Sequence, residues 1–321
     1  MFGNGNEDGW CWNEESCAYR AKTLSNLTSS KSLREYFERD GTHRYDEKVG
    51  IFSKSGEGNP NFYASYTAYV PSCSSDMFLG ESTGSNPPFF RGAEIARNAL
   101  LSLKDEMIAS ASASPNQEMK VIIVGGAGIL ASISSLREYL PTNASVYVVC
   151  DGCMLLDSTS TATCDADESA LSCSPRSTLA SATSLWNMID LPWCKHEDAW
   201  KCLLFENAQH SSEFPLLVQQ PLYDASIVSQ FDNTESKEEI RNAINTALSS
   251  DRVNVRVGAA CSSPSSIFTR DSIFSVRYGK GLPPPNAAAA LYSLIDDDSG
   301  GTSFVDTCDG EGCNTTCTSS F

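Results

Sequence analysis

The segment VIIVGGAGILASISSLREYL, residues 121–140, restricts the fold more than any other stretch of the chain. Four apolar residues run directly into a glycine turn, and beyond it apolar side chains recur at three- and four-residue spacing. A short, continuously apolar strand leading into a helix is the building unit of a parallel sheet covered on both faces. Two kinds of site use such a turn. In a dinucleotide-binding turn, Gly126, Gly128 and Ala131 supply G-x-G-x-x-A, and Asp151, which closes the second apolar run VYVVCD, takes the place of the ribose-binding acid. In a nucleophile elbow the turn lifts a serine above the sheet, and here no serine occupies it.

The rest of the chain repeats the alternation. Short apolar runs at 65–70, 146–150, 215–220 and 253–257 read as further strands. RGAEIARNALLSLKDEM and SKEEIRNAINTAL read as amphipathic helices between them. The expected architecture is α/β, a mostly parallel central sheet flanked by helices, in a single domain spanning 1–321. Ligands of such a sheet gather at the carboxyl ends of its strands. Residues 157–182, rich in Ser, Thr, Ala and Asp, and the cysteine-containing tail from about 296 read as surface loops.

Composition removes several classes of function. A net charge of −17 repels phosphate backbones and anionic lipid, so nucleic acid is not an expected partner. No apolar run is long enough to span a bilayer. The 13 cysteines fall in close groups, Cys11/Cys17, Cys150/Cys153, Cys194/Cys202 and Cys308/Cys313/Cys317, and sequons stand at Asn26, Asn143 and Asn314. Disulfides and N-glycans together indicate a secreted, extracellular or cell-wall protein. The odd cysteine count leaves at least one without an internal partner. The first residues, MFGNGNEDGW, contain neither the basic nor the apolar region of a secretory signal.

Individual residues carry less. Cys150 and Cys153 have the C-x-x-C spacing of a redox pair, or with Cys164 and Cys173 make four thiolates for zinc; a structural disulfide is the expectation in a secretory chain. His43, His196 and His210 are too scattered for a metal site, and neither metal nor cofactor is expected. Asp224 follows the apolar run at 215–220, where a triad acid belongs, although its local sequence reads first as a turn or helix-cap aspartate.

Several stretches in order resemble the family of pectin acetylesterases and Notum-type carboxylesterases: GWCWNEESC, then the run that ends in VPSCSSD, FFRGAEIARNAL, the opening strand and turn, CDGCMLLD, LWNMIDLPWCKHEDAWKCLLF and FPLLVQQPLYDAS. The resemblance covers about residues 9–290. It implies an α/β-hydrolase-like fold, ester hydrolysis through a Ser-His-Asp triad, and carbohydrate or acyl ligands. It pairs Cys194 with Cys202, and Cys11 is expected to pair with Cys17 because the two close a short loop in a secretory setting.

Carried over position by position, the resemblance makes Asp224 the triad acid. The family's nucleophile turn, G-x-S-A-G-G, falls on residues 124–129, with Gly126 in the serine's place. Its A-C-x-S-H stretch reads AACSSPSS here and puts Pro264 at the base. The oxyanion positions are Gly9, Trp10 and Ala127, with Asp8 replacing a neighbouring glycine. Two of three triad groups are therefore missing, and the chain is expected to be catalytically inactive. Ser132, Ser134 and Ser135 lie inside the helix beyond the turn, and Ser262, Ser263 and Ser265 cannot serve as a base near neutral pH. An active hydrolase with a different arrangement and a dinucleotide-binding oxidoreductase stand as the alternatives. Family members carry a strand before the Gly-Trp-Cys segment and a secretory signal before that, so the encoded protein is expected to extend upstream of Met1.

Overall fold

The computed structural model describes residues 2–3, 9–24, 28, 31, 50–57, 59–82, 89–113, 118–158, 164–211, 213–231, 236–262, 276–278, 285–296 and 302–319. In chain order the elements are β1 (Phe2–Gly3), α1 (Glu14–Thr23), β2 (Val70–Pro71), α2 (Gly92–Ala113), β3 (Lys120–Gly125), α3 (Ala127–Leu136), β4 (Ser145–Asp151) and α4 (Pro175–Leu185). There follow β5 (Leu216–Gln219), α5 (Ala225–Gln230), α6 (Lys237–Leu248), β6 (Val255–Gly258), α7 (Ala287–Asp296) and β7 (Thr302–Val305).

Strands β3 to β7 form one sheet in the order of the chain, and every pairing is parallel. Alternate side chains divide between its faces, as the two-residue period of a strand requires. Val121, Ile123, Val146, Val148, Leu216 and Val218 join one core cluster with Ile129 and Ile133 of α3 and Ile240 and Ile244 of α6. Val124, Tyr147, Val149, Leu217, Val255 and Val257 join the other with Ile51, Phe52, Phe62 and Leu291 of α7. The capping box of α6, in which Ser236 and Glu239 each accept from the other's backbone N–H, fixes where that helix begins. β1 pairs in parallel with β2 and lies against β3.

Three expectations need correction. The run at 65–70 is a strand only at Val70, where β2 begins, because the Lys54 ammonium binds the Ser65 carbonyl at 2.6 Å and the Thr67 hydroxyl at 3.3 Å and holds that stretch as a loop. Within 157–182, Pro175 starts α4, a position where its missing N–H costs nothing. The tail from about 296 supplies the edge strand β7. Charge runs and small residues read as loop locally, but these segments find partners distant in sequence.

All 13 cysteines are described. They form Cys11–Cys17, Cys150–Cys153, Cys164–Cys173, Cys194–Cys202, Cys261–Cys317 and Cys308–Cys313, and Cys73 remains free. The four-thiolate zinc arrangement is thereby replaced by two separate bridges.

Candidate functional site

The parallel register brings two of the three triad positions of the resemblance, Gly126 and Asp224, to the carboxyl end of the sheet. Gly126 follows β3, Asp224 follows β5, and the backbone beyond β6 runs alongside, since the Tyr223 N–H binds the Cys261 carbonyl at 3.2 Å. Neighbouring strands lie about 4.8 Å apart, so with β4 between them the ends of β3 and β5 are about 10 Å apart. Pro264, Ser263, Ser265, Asp8, Asn26 and His43 lie outside the described residues.

Gly126 is the N-cap of α3, with φ −93° and ψ −162°. This is extended backbone open to any residue, and the turn is not in the left-handed region. Gly128 is constrained differently. A Cβ there would overlap the carbonyl oxygen of Met77. The second glycine of the G-x-G thus admits a protein backbone, and the same close approach leaves no room for a pyrophosphate there. Ser132 donates to the Gly128 carbonyl at 2.9 Å and is buried in its own helix.

Asp224 is 1% exposed and caps α5. One carboxylate oxygen accepts from the Ser226 N–H and the other from the Gln220 side-chain amide, both at 2.8 Å. Gln220 in turn accepts from the Met154 N–H. Burial pushes the Asp224 carboxyl above its ordinary value, against these hydrogen bonds. The helix-cap reading of the local sequence is thus realised at this residue, which stands just beyond the end of β5.

Gly9, at φ 63°, stands in the left-handed region that favours glycine. Its carbonyl accepts from Arg20 at 3.1 Å, and the Arg20 guanidinium also donates to the Ser75 hydroxyl. The Cys11 N–H binds the Ser75 carbonyl at 3.2 Å, and the buried Trp186 indole donates to the Cys11 carbonyl. The loop 74–78 therefore touches the segment carrying Gly9 and Trp10 on one side and the first turn of α3, with Ala127 and Gly128, on the other. Leu171, which lies against Gly9, accepts from Gln230 at the end of α5. Residues from four separate parts of the chain converge on this edge of the sheet.

The key to that loop is Asp76, to which the sequence reading assigned no role. It is fully buried and accepts from the Ser74 hydroxyl at 2.6 Å, the Gly92 N–H at 2.8 Å and the Phe78 N–H at 3.2 Å. Desolvation nevertheless pushes its carboxyl up to about 6. Around it Ser75, Met77 and Phe78 all have positive φ, at 52°, 56° and 63°. Such conformations are costly for residues with side chains and persist where the surroundings over-determine them. The signal in sequence was the acid at the end of VPSCSSD.

Of the other candidates, His210 falls away from this end of the sheet and Asp151 does not. His210 accepts from the Arg252 guanidinium, ahead of β6, and lies at the opposite end of the sheet. His196 is exposed. Asp151 is buried at the end of β4, between the ends of β3 and β5; burial first, and then the charges of Asp151 and Asp306, push the Tyr278 phenol up.

Comparison with known proteins bears on the fold and the family. The pectinacetylesterase family profile matches residues 6–257. The palmitoleoyl-protein carboxylesterase NOTUM of Homo sapiens is 26% identical over 234 residues, which are 68% of this chain and 44% of that protein. The inactive palmitoleoyl-protein carboxylesterase notum1b of Danio rerio is 32% identical over 88 residues, 27% of this chain and 57% of that protein. The chain thus matches less than half the length of the full carboxylesterase. The crystal structure of the Wnt deacylase Notum from Drosophila superposes with a TM-score of 0.76 at 20% identity, covering 98% of this chain and 88% of the other. The shared fold is α/β-hydrolase-like, and the chain belongs to the pectinacetylesterase family.

Proposed function

We propose that this chain is a secreted, non-catalytic member of its family that keeps the strand-end site as a place to hold a carbohydrate or acyl ligand. One observation carries the reading: the turn between β3 and α3, where the family resemblance puts the nucleophile, is occupied by Gly126, which has no side-chain oxygen. Pro264 at the base position offers nothing to activate one. The carboxylate of Asp224 is engaged by Gln220 and by the N-terminus of α5, which suits a residue kept for the fold. That one relative is itself an inactive carboxylesterase gives the reading a precedent within the family. The disulfides support the secretory compartment.

Loss of such a nucleophile or base typically lowers kcat by about 10⁶-fold. Hydrolysis of an activated acetyl ester by the purified chain is therefore expected at the level of buffer alone. The comparison set is the Gly126→Ser, Pro264→His double variant with and without Asp224→Ala. Activity that appears with the double variant and disappears with Asp224→Ala supports the assignment of all three positions. Turnover by the unmodified chain that is abolished by Asp224→Ala overturns it and favours a hydrolase of different arrangement.

A further inference from the structure

The chain has sequons at Asn143 and Asn314 within the described residues, and their surroundings differ in the one atom that matters. Transfer of an N-glycan forms a bond from the asparagine amide nitrogen to the anomeric carbon of a lipid-linked oligosaccharide. That carbon's bond to the diphosphate oxygen breaks, the lipid diphosphate leaves, and the amide gives up one proton. The modified nitrogen retains a single hydrogen.

Asn314 needs both of its hydrogens. Its amide nitrogen donates to the Arg277 carbonyl at 2.6 Å and to Asp306 at 2.7 Å, while its oxygen accepts from the N–H and the hydroxyl of Thr316, at 2.9 and 2.6 Å. The sequon's own hydroxyl is used as well, since Thr316 accepts from the Arg277 N–H at 3.0 Å. Asp306 passes the connection on to the Ala260 N–H at 2.8 Å, and Gly312 binds the Ala260 carbonyl at 2.9 Å. These bonds dock the tail on the backbone beyond β6, where Cys261–Cys317 then closes. A glycan on Asn314 removes one donor from a filled set and inserts a bulky sugar between the tail and Arg277. Asn143 is exposed in the turn that precedes β4, at the amino end of that strand and away from the candidate site. Its turn is braced from beside it, by Arg137 donating to the carbonyls of Pro141 and Thr142, and the brace does not use the Asn143 amide.

We propose that N-glycosylation is partitioned between these sequons: Asn143 carries the glycan, and Asn314 is a structural amide that stays unmodified in every chain whose Cys261–Cys317 bond has formed. The inference rests on the secretory reading above, so the test imposes that route: the full chain is expressed behind an added signal sequence in a eukaryotic secretory host. Glycosidase release in heavy-oxygen water marks each occupied asparagine, and non-reducing peptide mapping reports the disulfide beside it. The expected result is label at Asn143 and none at Asn314 in peptides that contain Cys261–Cys317. Label at Asn314 in such peptides, or an unlabelled Asn143 in chains with their disulfides formed, overturns the proposal, whereas free thiols throughout the secreted chain would count against the compartment instead.

A second readout separates a structural amide from a merely unused one. Asn314→Asp keeps acceptors for Thr316 but replaces both donors with a charge beside Asp306, and is expected to lower Tm by about 2–6 °C. Thr316→Ser keeps the sequon and the hydroxyl and should leave Tm unchanged. An Asn314→Asp variant as stable as the parent would overturn the structural role.

Discussion

Asp76 shows how much one carboxyl group can hold. Three donors converge on it, and the backbone they fix includes three residues with side chains in the left-handed region. Its pKa is raised from 3.8 to about 6 because burial outweighs those hydrogen bonds. A group whose folded pKa lies above its unfolded value contributes stability that is fully present below the unfolded pKa and is lost as pH rises through the folded one. The window is therefore pH 4 to 6, and acidification through it is expected to stabilise the protein by up to about 3 kcal/mol from Asp76. Asp224, also raised by burial, acts in the same direction. Carboxyls that are lowered, such as Asp198 beside Lys201 and Glu239 in the capping box, act oppositely at more acidic pH. Urea midpoints measured from pH 4 to 7 should rise on acidification, and Asp76→Asn should flatten that rise; an unchanged slope would contradict the assignment. Only part of this was legible from Asp76's neighbours in sequence: Ser74 and Phe78 stand two residues away, but Gly92 opens α2, sixteen residues on.

The turn between β3 and α3 separates two glycines that look alike in the sequence. Gly126 is extended and its backbone accepts any residue, whereas Gly128 lies against the Met77 carbonyl. Gly128→Ala is expected to destabilise by about 2–4 kcal/mol, because the atom it meets is backbone that cannot rotate away. Gly126→Ser is expected to change stability by less than about 1 kcal/mol, as a serine suits an N-cap. Thermal denaturation of the two variants decides between them, and equal losses would mean that the turn is held by something other than Met77. The G-x-G-x-x-A pattern invited a dinucleotide. Local spacing says that a backbone approaches the glycine but does not say whose, and here the approaching atoms belong to the chain itself.

The disulfides divide into short local loops and one long connection. Cys261–Cys317 spans 56 residues and fastens the tail to the end of β6, whereas Cys308–Cys313 spans 5. In the chain-entropy view the longer loop stabilises by about 4 kcal/mol and the shorter by about 2 kcal/mol. Cys261→Ser with Cys317→Ser should therefore lower the denaturation midpoint clearly more than Cys308→Ser with Cys313→Ser, as read by guanidinium titration under oxidising conditions. The reverse order would show that the tail contributes little to global stability. With a net charge of −17 the molecule also repels polyanions at any distance that salt leaves unscreened.

Much of this architecture was written locally. The run 121–140 dictates strand, turn and helix through the spacing of its apolar residues, and the parallel sheet follows from repeating that unit. Spacing along the chain also paired Cys11 with Cys17, and family resemblance paired Cys194 with Cys202. That no serine stands in the turn is read directly from its residues, GGAGI at 125–129. What the linear order could not supply were the contacts between distant segments: Met77 on Gly128, Asp76 on Gly92, and the tail on Ala260. Periodicity reports which face of an element is buried, because burial is a property of each residue's own side chain. Which atoms meet across that face depends on how the elements stack, and that is settled when the whole chain excludes water together.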